Sequence, residues 1–438
     1  MLRIFPWVVA AGGLLLIVLV MRPAWRIPRE GNAGLPVRAG QLSVVAVFAV
    51  SPMMEATAIN RGRTIQLGLI AVVSSLAFLG IMIAVSQRTR IYIPPIVLGP
   101  AAVSVVALIV NTAVSPAGNA DVFARYLVIV FWVAMALALC VSKVDSAQIW
   151  SLLVLAFAVS CLLTALTGEP YRACDIYKCG GFGALFMGPF RSENLMAEFA
   201  AIALVAAIGP LRGRLIRIVT ATLSLLVLYA TVSRTSAAAV VVAAATVFVL
   251  RLMRRQSSAW RFRVSGLVVV AVSIAGVLTV LRANPSDFSN RGWFWHQAVQ
   301  ALSGHWWFGR GVDEWSALQQ TGYLPPLFPH SQYLLMLFWS GVLGLGLWVL
   351  LLLRGTRHMQ EHASASGRYG SAFVVLLAVL GITETVWNPL ALDARTFLVV
   401  AFVGMAADAA RQQRMAGVRA ELGPSVRAPG RITRVPTL

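Results

Sequence analysis

VSGLVVVAVSIAGVLTVLRANPSDFSNRGWFWHQ, residues 264 to 297, decides how this chain is read. Its first half is an uncharged apolar run with nearly the reach of a membrane-spanning helix, and from Arg282 it turns polar and aromatic. That polar character persists from Leu281 to His330. On either side the apolar signature recurs, as in WVVAAGGLLLIVLVM at 7 to 21 and TIQLGLIAVVSSLAFLGIMIAV at 64 to 85. With 59% hydrophobic and 12% charged residues and a mean hydropathy of +0.79, the 438 residues do not have the balance of a soluble domain.

Spans are predicted near 5 to 22, 42 to 58, 64 to 86, 92 to 112, 122 to 142, 147 to 167, 193 to 210, 214 to 232, 235 to 252, 264 to 281, 331 to 353, 370 to 388 and 391 to 408. Pro52 and Glu55 interrupt the second, so the expectation is an all-α polytopic membrane protein of about 12 to 13 transmembrane helices. Continuous apolar runs, rather than short alternating ones, speak against an outer-membrane barrel. Residues 1–408 are expected to form one integral membrane domain that includes external loops 168–192 and 282–330. Residues 409–438 are expected to be a flexible basic cytoplasmic tail.

Arginine clusters at 212 to 217, 251 to 263 and 354 to 368, with the tail from Arg411 to Arg434, predict the cytoplasmic side. The connections at 113 to 121, 168 to 192, 282 to 330 and around Asn388 are then external. Arginines at 22, 26, 29 and 38 favour thirteen spans and an external N-terminus. The formal net charge of +20 lies largely in these loops and in a tail without aromatic residues. Contact with anionic lipids explains it better than nucleic-acid binding.

Cys140 and Cys161 fall inside apolar spans and read as core residues. Cys174 and Cys179, in EPYRACDIYKCGG, are candidates for a disulfide restraining the approach to Arg191. No Walker loop, dinucleotide fingerprint or HExxH occurs, and neither a metal site nor a cofactor is expected. A reaction here would draw on a donor already activated in the membrane.

Candidate site residues gather at external span boundaries. In GPFRSENLMAEF, Arg191 either grips phosphate oxygens beside a helix N-terminus or snorkels at the interface, and Asn194 either joins it or caps the helix. Glu198, about a turn deeper, needs a partner or a watery cavity. Arg234, in SRTSAA, is a cation on the side where the topology rule disfavours one; substrate contact and a plain ion pair both account for it. Arg291 opens NRGWFWHQAVQAL, an amphipathic helix followed by a turn at GRGV, and is placed to reach a diphosphate. The tryptophans of this segment form an interfacial belt or line a carbohydrate or polyprenyl groove.

His330, in PHSQYLL, either takes the proton of an incoming hydroxyl or serves as a cap or phosphate cation. Tyr333 follows as a shaping residue, and His296 and His305 are weaker candidates. Glu384, in GITETVWNPLALDARTF, either orients an arginine or accepts a substrate hydroxyl, while Asp393 and Arg395 read as a local ionic contact.

The order GPFRSENLMAEF, SRTSAA, NRGWFWHQAVQAL with GRGV, then PHSQYLL, over residues 185 to 350, resembles the O-antigen ligase and Wzy-type polymerase superfamily of bacterial polytopic glycosyltransferases. The resemblance implies a GT-C-like membrane fold in the bacterial cytoplasmic membrane with its active site facing the periplasm or extracytoplasmic space. It implies an undecaprenyl- or decaprenyl-diphosphate-linked glycan donor and a glycan, glycolipid or protein acceptor, without nucleotide sugar or catalytic metal. Its loop arginines map to Arg191 and Arg291, with Arg234 as a helper, and its loop histidine maps to His330. Here PHS replaces the commoner PHN. Ligase and polymerase differ in the acceptor, which the selected residues do not distinguish. A transporter of polyprenyl-linked glycans is the alternative from another class, and would need polar groups distributed through an alternating-access cavity.

Overall fold

The computed structural model describes residues 3–24, 35–57, 62–86, 91–114, 122–174, 178–325, 328–361 and 365–421. Arg26, Arg29, most of the 113–121 connection and the tail beyond 421 lie outside the described residues. In chain order the helices are α1 (Phe5–Ala24), α2 (Leu35–Val50), α3 (Gly62–Ser86), α4 (Gly99–Val114), α5 (Val122–Ser142), α6 (Ser146–Leu163), α7 (Glu193–Ile208) and α8 (Arg214–Thr231). They continue as α9 (Arg234–Leu252), α10 (Ser258–Arg282), α11 (Asp287–Ala301), α12 (Val312–Gln320), α13 (Gln332–Glu361), α14 (Ala365–Leu380) and α15 (Thr396–Glu421). α1 packs on α6, α7 on α8, α9 on α14 and α10 on α13. Large apolar side chains such as Phe78, Val241, Phe248 and Leu267 stay exposed on the outside, as a lipid-facing surface requires.

Nine helical segments among the described residues are long and apolar enough to cross a membrane, and Phe5–Val20 and Gly367–Leu380 are shorter apolar helices. The remaining two expected spans are α7 and α15. α7 has only 16 residues and is buried along its length by its neighbours. α15 carries Asp408, Arg411 and Arg414 from its midpoint onward. The expected tail therefore begins as helix, and Arg411 donates to the carbonyls of Leu139 and Val144 at the end of α5.

Three boundaries differ from the sequence reading for physical reasons. α2 starts earlier than expected and finishes in a 3-10 turn at Ser51–Met54, where Pro52 cannot continue the helix. α13 is broken at Gly341, whose φ of +63° departs from the helix. α14 stops at Leu380, so residues 381–395 form a mostly buried non-helical segment instead of the end of one span and the start of the next. Such a segment must have its backbone groups satisfied by protein. The Gln332 side chain accepts from the amides of Val386 and Trp387, while Gln66 and Ser104 donate to the carbonyls of Leu392 and Pro389. Trp387 is fully buried between Trp132 and Trp348.

A small antiparallel hairpin, β1 (Tyr171–Ala173) with β2 (Ala184–Phe186), stands in the 168–192 connection, where no strand was anticipated. Phe5 packs on Phe182 and Phe186, placing the start of α1 at this loop-bearing end of the bundle. The opposite end joins arginines to neighbouring helices, as in Arg251 to Tyr369 and Arg261 to Gln360.

Candidate functional site

The loop-bearing end collects side chains from five separated segments around Glu384. Glu384 is buried and receives Arg291 of α11 at 2.9 Å on one carboxylate oxygen. Arg291 also donates to the Thr383 carbonyl. On the other oxygen stand His330 Nδ1 at 3.7 Å and Arg395 at 3.9 Å. Burial alone would raise the Glu384 carboxyl, but Arg291, His330 and Arg395 outweigh it and hold the group down at about 2.

Arg395 is the hub of the acidic side. It grips Glu198 of α7 through two nitrogens at 2.8 and 3.1 Å and stands 4.0 Å from Glu55. Glu198 thereby gains the partner that a buried carboxylate requires. The sequence reading treated Arg395 as a local partner of Asp393; the structure sends its guanidinium across the bundle, and only its backbone amide reaches the Asp393 carboxylate. Burial and the nearby Glu55 charge push Asp393 up to about 7, against the pull of Arg395.

His330 sits in the left-handed region at φ +47°, immediately before α13. A non-glycine residue there costs about 1–3 kcal/mol unless its surroundings fix it. They do so here: buried Trp295 donates to the Pro329 carbonyl at 2.8 Å, the Phe294 ring stands edge-on to the imidazole, and Ser331 anchors to Gly381. The strained backbone turns the ring toward Glu384. The aromatic run of α11 thus has a definite task in Phe294 and Trp295, whereas Trp293, Trp307 and Phe308 remain exposed.

The Cys174–Cys179 disulfide closes beside the hairpin. Next to it Lys178 donates to Glu193 at 3.2 Å and Asn194 at 3.1 Å in the first turn of α7, and Arg172 also reaches Glu193. Asn194 is accordingly engaged by Lys178 through its side-chain oxygen, and Ser192 supplies the cap. Glu193 stands out in sequence with Arg191 and Asn194 at the start of the helix, but Lys178 does not, because neither spacing nor composition marks a contact across the loop.

Arg191 and Arg234 are exposed, and neither guanidinium is ion-paired to a described residue. Arg191 lines a cleft of about 550 Å³ with Glu55, Phe328, His330, Glu384, Thr385, Asn388, Asp393 and Arg395. Arg234 opens α9 outside that lining, and its neighbour Thr235 hydrogen-bonds Thr383 at 2.7 Å. Tyr333, expected from sequence as a substrate-site residue that shapes more than it reacts, stands behind the cleft. It is fully buried, its ring lies against Gly276 of α10, and its hydroxyl donates to Ala378, so it packs helices instead of lining the cleft. His296 bonds Gln300 and His305 bonds the Ser303 carbonyl, both in exposed positions. Among the described residues no group of three or more His, Cys, Asp or Glu side chains is placed to hold a metal.

The loop between α11 and α12 is locked into the break in α13. Arg310 donates its amide to Phe338 at 2.7 Å, and Val342 donates to Trp306 at 2.8 Å. Gly309 and Gly341 meet backbone to backbone, both at positive φ, where a Cβ on either would lie within 2.5 Å of the other segment. Beyond it, Asp313 at the start of α12 is buried between Asn111 of α4, at 2.9 Å, and Arg125 of α5, which it meets with both oxygens.

No curated protein in the comparison matches the chain. A family model described as O-antigen ligase matches residues 219–349, the segment that holds Arg234, Arg291 and His330. Over those residues the chain is similar to the O-antigen ligase family.

Proposed function

We propose that the protein is a membrane glycosyltransferase that moves a glycan from a polyprenyl diphosphate to an acceptor hydroxyl at the loop-bearing end. The observation that carries this reading is that His330 and the segment bearing Glu384 and Arg395, remote from it in sequence, meet on one cleft wall, with Arg291 of α11 bonded to Glu384. With Nδ1 toward Glu384, the imidazole has Nε2 left to accept the acceptor's proton. The acceptor oxygen then bonds the anomeric carbon while the bond to the diphosphate breaks, and the electron pair leaves with the polyprenyl diphosphate. A single displacement of this kind inverts the anomeric centre and uses no covalent nucleophile. Arg191 and Arg234, both free of ion pairs with described residues, are available for diphosphate oxygens, and Arg291 links that side to Glu384.

The same chemistry makes a ligase when the acceptor is a lipid or protein and a polymerase when it is another polyprenyl-linked repeat. Transport draws less support, since Glu198 and Glu384 are committed to arginines. The test is mass spectrometry of products from purified protein in liposomes carrying native polyprenyl-diphosphate glycans, with and without an added acceptor. A longer lipid-linked glycan or a glycosylated acceptor supports transfer. Donor binding with no covalent product in either arm overturns it. His330→Ala should abolish product while leaving donor binding intact, and normal transfer by that variant would remove the base assignment.

A further inference from the structure

The cleft beside His330 has a composition that a diphosphate does not explain. Three carboxylates line it, on Glu55, Glu384 and Asp393, against Arg191 and Arg395, and Arg395 is already engaged by Glu198. Arg234 and Arg291 are absent from its lining. Away from Arg191, anionic phosphate is disfavoured along such a wall. Hydroxyl groups are not, because each can donate to a carboxylate and accept from an amide.

Two uncommitted polar groups point the same way. The Thr385 side chain is 6% exposed, and its hydroxyl has no hydrogen-bond partner among the described residues, although the residue lines the cleft. A buried hydroxyl without a partner costs about 1–3 kcal/mol, and a ligand hydroxyl in the cleft that Thr385 lines would offset that cost. Asn388 is 5% exposed; its side-chain oxygen takes the Leu390 amide, which leaves the amide nitrogen for the cleft. Among the described residues Glu55 has only the long contacts to the Ala394 amide, at 3.4 Å, and to Arg395. Across the cleft Phe328 presents an exposed ring, a surface on which the apolar face of a sugar can lie.

Resting on the glycan-transfer reading, we propose that Glu55, Thr385, Asn388 and Phe328 form the binding subsite for the acceptor's sugar, an uncharged hydroxyl-rich ring. The donor diphosphate then lies on the α9 and α11 side of Glu384, where Arg234 and Arg291 stand, and His330 faces the boundary between the two.

The experiment uses the full chain in liposomes carrying Glu55→Cys, an exposed and weakly held position. Cys140 and Cys161 are buried and Cys174 and Cys179 are paired, so labelling by N-ethylmaleimide reports the new thiol. Glycan released by mild acid from the native lipid-linked pool should slow labelling several-fold, and inorganic pyrophosphate at equal concentration should not. Adding Thr385→Val or Asn388→Ala should raise the glycan concentration needed for protection about tenfold. Thr385→Val should do so without lowering the unfolding temperature, because it removes an unpartnered hydroxyl; a purely structural threonine would show the reverse. Protection by pyrophosphate alone, or by neither probe, overturns the subsite. The product assay on the wild-type protein separates the two ideas: transfer without glycan protection rejects this subsite, and protection without transfer rejects the reaction.

Discussion

Arg395 holds together Glu55, Glu198 and Glu384, which come from three distant parts of the chain. Its loss strands buried carboxylates, so Arg395→Ala should lower stability by about 3–5 kcal/mol, measured by denaturation in detergent. Arg395→Lys should recover only part of this, since an ammonium cannot grip Glu198 through two nitrogens. Full recovery would show that charge alone matters there. Glu384 makes a pH prediction. Its carboxyl is held near 2 in the folded protein and returns to the ordinary 4.5 on unfolding. Its stabilising contribution is therefore complete above 4.5 and fades as pH falls toward 2. Over that window the unfolding temperature of the wild type should drop more steeply than that of Glu384→Gln, and equal slopes would contradict the charge balance around the group. Among cations without an ion pair to a described residue, Arg191→Lys should cut transfer roughly tenfold if a bidentate phosphate grip is used. Unchanged turnover would dismiss that role. His330, Arg291 and Glu384 could each be singled out in sequence because each is a charged or titratable group at an apolar boundary. Their mutual contact, and the reach of Arg395, were not, since an ion pair between remote segments leaves no mark in local spacing.

Among elements, the broken α13 and the buried segment 381–395 carry the site. Gly341 was visible only as one of several glycines in SGVLGLG, yet its positive φ and the Trp307 backbone against it exclude any side chain. Gly341→Ala should cost at least about 1–3 kcal/mol from backbone conformation alone, before any displacement of the loop. A variant as stable as wild type would mean that loop and helix part easily. Gln332 stabilises the other irregular element by accepting two amides. Gln332→Leu should leave both unsatisfied at about 1–3 kcal/mol each, and transfer should fall with stability because Glu384 belongs to the same segment. Hydropathy foresaw a helix through Asn388, as it must when a buried non-helical segment is as apolar as a span. Thr383, Thr385 and Pro389 argued locally against helix, but only the acceptor on Gln332 shows what replaces its hydrogen bonds.

For the molecule as a whole, the fold class followed from composition, and the precise helix inventory did not, because a helix shielded by neighbours, as α7 is, need not have the length that lipid demands. The loop-bearing end is tied down at both flanks, by the Cys174–Cys179 loop on one and by Asp313 with Asn111 and Arg125 on the other. The interlock of Gly309 with Gly341 bears on the order in which this protein matures. Residues 302 to 311 leave the ribosome before α13 exists, yet their backbone partners lie on α13, which must first be inserted and then bent open. Docking of the loop is thus a closing event, reserved for a chain whose later half has already been placed. Since Arg291 and His330 flank that loop, a half-inserted chain has not yet brought the two together at Glu384.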